Sequence, residues 1–433
     1  MSQHIIYLRR RLRRLRRLRL QAWQRNLYLI IGAETIALLG FSISNPFLPF
    51  YIQELGVTEL KQVAFWVGLI NSAAPISMAL AAPIWGTVAD RVGRKPMRVR
   101  AMLGGGAVLS LTAAVANVPQ LAALRIIQGA LTGTVPAATT LVATSVPRER
   151  TGFSLGLLQT AIFVGASLGP SVGGLIGGTL GYRAAFLGSG LLLLMAGGLV
   201  TFLVHEQFTP PSSRQSGNAL ATALRSIQRD PILLAMVALL MLNNLSHSVT
   251  GPVLPLYVQT LVSDAREAST ATGMILGATA VANAMAAVWV GRSADRLGRR
   301  RVLLTCLSVA SLAYFPQMLT RHPSQLLALR LVLGFALGGV GPVANSALAE
   351  RGPEGCQGGI YGISTSLNAL GTALGPLLGT LIVTHWGLRG VFPVTGALLG
   401  LVVLMVAATT HALDVVEAPA LEPDKALRRQ EPR

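Results

Sequence analysis

Acidic residues are scarce in this chain of 433 residues. Asp and Glu number 17 against 36 Lys and Arg, and charged residues of both signs make up only 12% of the whole. A soluble domain carries about twice that share of charge, so an ordinary water-coated globule is excluded. Cysteine is nearly missing: Cys306 and Cys356 are the two present, too few for a disulfide framework or a cysteine metal cluster. Strict polar–apolar alternation is also missing, which excludes a β-barrel. No P-loop or zinc-ligand spacing occurs and no reactive constellation gathers at one face, so the sequence offers no ATP site, no metal, no cofactor and no enzyme.

What is present is apolar. Hydrophobic residues make up 52% of the chain and Gly contributes 46 positions; the mean hydropathy is +0.57. Apolar runs fall at 27–52, 65–85, 97–117, 119–142, 152–177, 183–204, 232–260, 268–290, 301–320, 323–347, 358–383 and 387–411. Each is long enough to cross a bilayer as a helix, which takes about 20 residues. The expected fold is an all-α membrane protein of twelve transmembrane helices. The plan is a basic segment (1–26), a first six-helix half (27–204), a linker with FTPPSSRQSGN (205–231), a second six-helix half (232–411) and a polar tail (412–433).

The net charge of +19 invites a nucleic-acid partner. The placement of charge argues for lipid instead. With the N-terminus inside, the outer loops hold Lys61, Arg183, Arg266, Arg321 and Arg389, and Arg125 and Arg330 fall within spans. All other basic residues are counted with the inner side, Arg98 and Arg100 at the inner edge of the third run among them, so the positive-inside rule puts both termini in the cytoplasm. The run RRRLRRLRRLRL (9–20) fits a basic amphipathic helix on anionic lipid, and no cleavable signal peptide precedes it.

The chain repeats itself. GTVADRVGRK (86–95) returns as GRSADRLGRR (291–300), and LPFYIQ (48–53) as LPLYVQ (254–259). LAALRIIQG (121–129) returns as LLALRLVLG (326–334), GASLGPSVGG (165–174) as GTALGPLLGT (371–380), and GYRAAF (181–186) as GLRGVF (387–392). The offset stays at 205 or 206 residues throughout. Such constant register marks two structurally equivalent halves in parallel.

The repeated phrase has a physical use. Gly86 permits close helix approach. Asp90 at a helix end suits an Arg or a helix N-terminus, and Arg91 and Arg94 suit carboxylates or terminal carbonyls. With Gly93 and the second copy (Asp295, Arg296, Gly298, Arg299), the phrase forms a candidate latch between the halves on the cytoplasmic side. Gly156, Gly165, Gly169, Pro170, Gly173 and Gly174 in GLLQTAIFVGASLGPSVGG provide close packing and a Pro bend.

These motifs, their positions and the twofold repeat resemble the major facilitator superfamily over nearly the whole chain. The phrase after the second span is similar to that family's loop signature, and the Gly–Pro pattern of the fifth span resembles its drug/proton antiporters. The resemblance implies a monomeric secondary transporter in a bacterial inner membrane, moving a small amphipathic or drug-like molecule against protons by alternating access. The segment LRIIQG, with Arg125 and Gln128, resembles the helix signature linked to proton coupling. A sugar or metabolite exporter of the same fold would look nearly the same, and a non-transporting receptor is a further alternative.

Polar groups at membrane depth are the candidate site. Glu34 is the one acid within an apolar run, and the second half has Leu240 at the equivalent place. It is the leading proton or cation group. Arg125 is costly in lipid and recurs as Arg330, where Leu333 replaces Gln. His247 titrates near neutrality. Asn71, Gln159, Tyr361 and Asn368 complete the set of substrate candidates. Tyr51 and Tyr257 fit an interfacial aromatic belt.

Overall fold

The protein is described here by a computed structural model covering residues 22–147, 150–206, 216–352 and 357–409. The basic run, residues 207–215 of the linker, residues 148–149 and 353–356, and the tail lie outside the described residues. The first half contains α1 (Ala22–Ser44), α2 (Leu48–Glu54), α3 (Leu60–Val92), α4 (Arg94–Thr112), α5 (Val118–Leu131), α6 (Thr134–Ser145), α7 (Thr151–Leu180) and α8 (Tyr182–Leu203). The amphipathic α9 (Ser216–Arg229) follows, burying Ala223 and Ile227 against the second half. That half contains α10 (Pro231–Thr250), α11 (Leu254–Gln259), α12 (Ala265–Leu297), α13 (Arg299–Tyr314), α14 (Pro323–Gly338), α15 (Val340–Arg351) and α16 (Gln357–Thr409). No strand occurs among the described residues.

Among those residues nine stretches are long and apolar enough to span a bilayer. The expected twelve differ at three places, each with a local cause. Four basic residues, Arg94, Lys95, Arg98 and Arg100, dilute the apolar character of α4. The fourth run breaks at Gly133, leaving two short helices, α5 and α6. The last two runs join in α16, where Gly387 departs from helical geometry.

The repeat is visible in the backbone. Pro46 and Pro49 interrupt the first run between α1 and α2, and Pro252 and Pro255 interrupt its counterpart between α10 and α11. Proline removes a helical donor and crowds the preceding turn. The Gly of each ADRxGR phrase has positive φ, 102° at Gly93 and 89° at Gly298. Each ends a 33-residue helix, α3 or α12, and starts the next. A side chain with Cβ resists that conformation, which explains the glycine in both copies.

Helix α7 packs on α1 through the Gly–Pro pattern. A Cβ at Gly165 would lie 2.6 Å from the Thr35 carbonyl oxygen, and Cβ atoms at Gly169 and Gly173 would strike Ser42 and the Ile43 carbonyl. Gly173→Ala therefore forces two backbones apart, and overpacking of this kind costs about 1–3 kcal/mol. Gly188→Ala, which meets open space, is the reference. Thermal unfolding in detergent should show a lower midpoint for Gly173→Ala alone; equal midpoints would refute the packing role.

Candidate functional site

A cavity of about 510 Å³ lies between the halves. From the first half it is lined by Phe41 and Ser42 on α1, Asn45, Asn71 and Pro75 on α3, and Arg125 and Gln128 on α5. From the second half come His247 and Ser248 on α10, Gly251, Leu276 on α12, and Thr372 and Pro376 on α16. The lining is mainly apolar with a few polar groups, the usual make-up of a small-molecule site.

One end of this space is closed. Gln53 and Gln259, which are 206 residues apart, exchange amide hydrogen bonds, each Nε2 donating to the other's Oε1 at 3.1 Å. Two lateral seams flank them. On one, the Ser269 hydroxyl donates to the Gly174 carbonyl at 3.1 Å and α7 meets α12 at Gly174 and Gly273. On the other, the Thr380 hydroxyl donates to the Ala64 carbonyl at 2.8 Å, with Gly68 against α16.

The opposite end carries the ADRxGR phrases, and there the halves separate. Gly86 on α3, Gly156 on α7, Gly291 on α12 and Gly362 on α16 have no atom within 4 Å of where a Cβ would stand. The expected latch is not closed in this state. Instead each phrase is braced within its own half. Glu206, after α8, accepts from the backbone N–H groups of Arg94 at 2.9 Å and Lys95 at 2.8 Å, a carboxylate at a helix N-terminus. Arg299 pairs with Glu350 on α15. Arg91 and Arg296 are exposed, and the side chains of Asp90 and Asp295 lie outside the described residues.

The sequence-stated site residues divide. Arg125, Gln128, His247 and Asn71 come together on the cavity wall. Arg125 is buried rather than snorkelling to the surface; its Nη1 donates to the Asn45 side-chain oxygen at 3.3 Å. Gln159 is exposed outside the cavity lining, and Tyr361 donates to the Asn345 carbonyl at 3.0 Å. Asn368 sits one turn from Thr372 and is half-buried. Tyr51 and Tyr257 correct the aromatic-belt expectation, because both are fully buried. Tyr51 donates to the Thr112 carbonyl at 2.8 Å and Tyr257 to the Gln317 carbonyl at 3.0 Å. Their rings lie 4.8 Å from Phe186 and Phe392 respectively, and each Phe ring in turn faces a buried arginine, Arg125 or Arg330. Each half thus carries the same Tyr–Phe–Arg stack.

Glu34 is placed elsewhere. It is fully buried within the first half and is absent from the cavity lining. Its carboxylate receives Arg98 Nη2 from α4 at 2.9 Å, and the same nitrogen donates to the Ile30 carbonyl at 2.9 Å. Arg98 had been placed in the basic inner segment; it is instead wholly buried. The missed signal was helical spacing, since Arg98, Ala101, Met102 and Gly105 share one buried face of α4. Cation recognition by Glu34 in the cavity has no geometric support. Removing one member of a buried pair leaves an uncompensated charge and costs about 3–5 kcal/mol. Glu34→Gln and Arg98→Met should each lower the unfolding midpoint, and the double variant should be more stable than the sum of the two losses implies. Strict additivity would disprove the coupling.

A family model for the Major Facilitator Superfamily matches residues 30–262 and 240–431. The Multidrug resistance protein MdtG of Yersinia enterocolitica is 33% identical over 373 residues, covering 86% of this chain and 90% of that one. The same-named protein of Klebsiella pneumoniae is 32% identical over 403 residues, covering 93% and 97%. A solved bacterial homolog of the human lysosomal transporter Spinster, in an inward-facing and occupied conformation, superposes with a TM-score of 0.72 at 13% identity, covering 89% and 96%.

Proposed function

The chain belongs to the Major Facilitator Superfamily, and from that premise we propose that it exports drug-like, amphipathic small molecules in exchange for protons. It is an integral membrane protein and a secondary transporter rather than an enzyme. Its likeness to proteins named for multidrug resistance supports efflux. The observation that carries the proposal is the cavity, lined by both halves, closed at one end by Gln53 and Gln259 and open toward the ADRxGR loops. The charge bias of the loops makes the open end cytoplasmic in a twelve-pass topology within a bacterial inner membrane, with both termini inside. Cargo enters from the cytoplasm in this state and leaves after the halves rock about the fixed site.

Among the described residues the cavity lining contains no carboxylate. Arg125 provides a positive charge and Gln128, Asn71 and Asn45 provide amides. Such a wall suits neutral or acceptor-bearing amphipaths over cations. For coupling, His247 is the lining group whose ordinary titration lies near neutral pH. Arg330 on α14 lies within electrostatic reach of it, and it shares the cavity with Arg125 from α5. Glu34, held by Arg98, is a structural ion pair in this proposal and not the proton carrier.

Everted vesicles with an imposed pH gradient test both parts, using a panel of cationic, neutral and anionic drugs. Accumulation should favour neutral and anionic compounds. His247→Gln should lose most of the gradient-driven component and retain downhill flux. Undiminished pH-driven accumulation would remove His247 from coupling, and no movement of any compound would overturn the exporter proposal.

The four open glycines belong to the alternate state. Gly86 and Gly362 lie on α3 and α16, which already touch at the closed end; Gly156 and Gly291 lie on α7 and α12, which do likewise. Closing the loop end would bring each pair together. Gly156→Leu and Gly362→Leu should therefore leave the unfolding midpoint within about 0.5 kcal/mol equivalent while reducing transport severalfold and raising labelling of a cavity cysteine from the cytoplasmic side. Unchanged transport and labelling would show that these faces never meet.

A further inference from the structure

We propose that the second half contains an anion site centred on Arg330, reached from the transport cavity beside His247 and Gly251. The ligand is a small anion, either an inorganic one such as chloride or the acidic group of the cargo. The site rests on the proposal that the cavity is the transport site.

Three arginines are buried in the described helices of the membrane region: Arg98, Arg125 and Arg330. Arg98 has the Glu34 carboxylate at 2.9 Å. Arg125 faces the cavity; its Nη1 has the Asn45 side-chain oxygen at 3.3 Å, and its Nε and Nη2 have no acceptor among the described residues. Arg330 is 4% exposed, and its Nε and Nη2 have no hydrogen-bond acceptor among the described residues. Its guanidinium rests against two aromatic rings, 5.8 Å from Tyr314 and 5.9 Å from Phe392. The hydroxyl of that same Tyr314 is also buried and unpartnered. Aromatic faces offset part of the cost of the cation, but they accept none of its N–H groups in the way an oxygen or a halide does. A buried cation with open donors and no counter-charge is expensive, so a counter-charge from outside the chain is strongly favoured.

The repeat locates the entrance. Arg330 stands 205 residues after Arg125, and Phe392 stands 206 after Phe186. The acceptor that Arg125 uses is Asn45, and 206 residues later the chain has Gly251. The second half therefore offers no side-chain acceptor where the first half has one. Gly251 and its neighbour His247 both line the cavity, and His247 is within electrostatic reach of Arg330. An anion entering past Gly251 would take the place that the Asn45 oxygen holds in the first half. Guanidinium and phenol donors around it would give charge-assisted hydrogen bonds, the strong class.

Equilibrium dialysis of the purified full chain in neutral detergent tests this without any transport assay. The probes are radiolabelled chloride, radiolabelled benzoate and the neutral benzamide. Saturable binding of at least one anion, and none of benzamide, is expected. Affinity should fall about tenfold or more in Arg330→Gln, the loss expected for charge-assisted bonds. It should fall similarly in Gly251→Asn, which supplies the missing acceptor and keeps Arg330. The second variant covers the case in which Arg330→Gln does not fold. Chloride binding that benzoate cannot displace identifies an inorganic ion; mutual displacement identifies the acidic group of a cargo. Absence of anion binding by the unaltered chain, or binding lost in Arg125→Gln but unchanged in both second-half variants, would overturn the proposal. Because binding is read directly, its failure is distinct from a failure of vesicle transport.

Discussion

A residue can touch its own counterpart in a twofold repeat only where the axis passes. Gln53 and Gln259 do so, with each amide donating to the other at 3.1 Å. This contact sets the geometry of the rest. The pseudo-axis runs between the two amides, so the paired seams of α7 with α12 and α3 with α16 must lie to either side of it. The cavity then falls on the axis beneath the clasp, and the remaining freedom of the halves is to part or close at the far end. Inside a bilayer an amide without a partner is costly. Opening this end therefore requires two amides to change partners together, which makes the clasp a two-state element rather than a soft hinge.

The buried arginines follow the same logic of partners. Arg98 is neutralised by Glu34, within one half and away from the axis. That pair is enclosed by α1 and α4 of the same half, so rocking of one half against the other leaves its surroundings intact. Among the described residues Arg125 and Arg330 have no carboxylate partner; Arg125 lines the cavity and Arg330 lies outside its lining. A charge whose partner is built in needs nothing further, and in the proposed function the two without a carboxylate are left to recognise what arrives.

Much of the fold was legible in the sequence because hydrophobic length and repeat offset are local properties. The apolar runs and the two equivalent halves follow from counting residues. The Gly–Pro pattern in α7 also behaves as its spacing implied, with Gly165, Gly169 and Gly173 against α1. The site was legible in part. Arg125, Gln128, Asn71 and His247 were found as polar interruptions of apolar runs, and they share a wall. Gln159 and Tyr361 satisfied the same criterion but sit outside it, because an interruption says nothing about which face of the helix carries it. Arg98 escaped notice because it lies next to a basic loop, where charge is ordinary. The open latch could not be read at all, since one sequence encodes both states of the cycle.

The departures from symmetry are what give the cavity a direction. Its frame is paired: Ser42 with Ser248, Pro46 with Pro252, Ile70 with Leu276 and Pro170 with Pro376, each 206 residues apart, all line it. Two lining pairs break the rule. Phe41 stands opposite His247, and Asn45 opposite Gly251. Gln128 adds a third difference, since its counterpart is Leu333. A strictly symmetric cavity would bind a cargo equally well in two orientations related by the axis. Here the first half presents an aromatic ring with two amides, and the second presents an imidazole and a gap before Arg330. Under the proposed function an amphipath would gain most with its apolar body against Phe41 and its acceptor toward His247, with the duplicated residues left to the mechanics and the divergent ones to recognition.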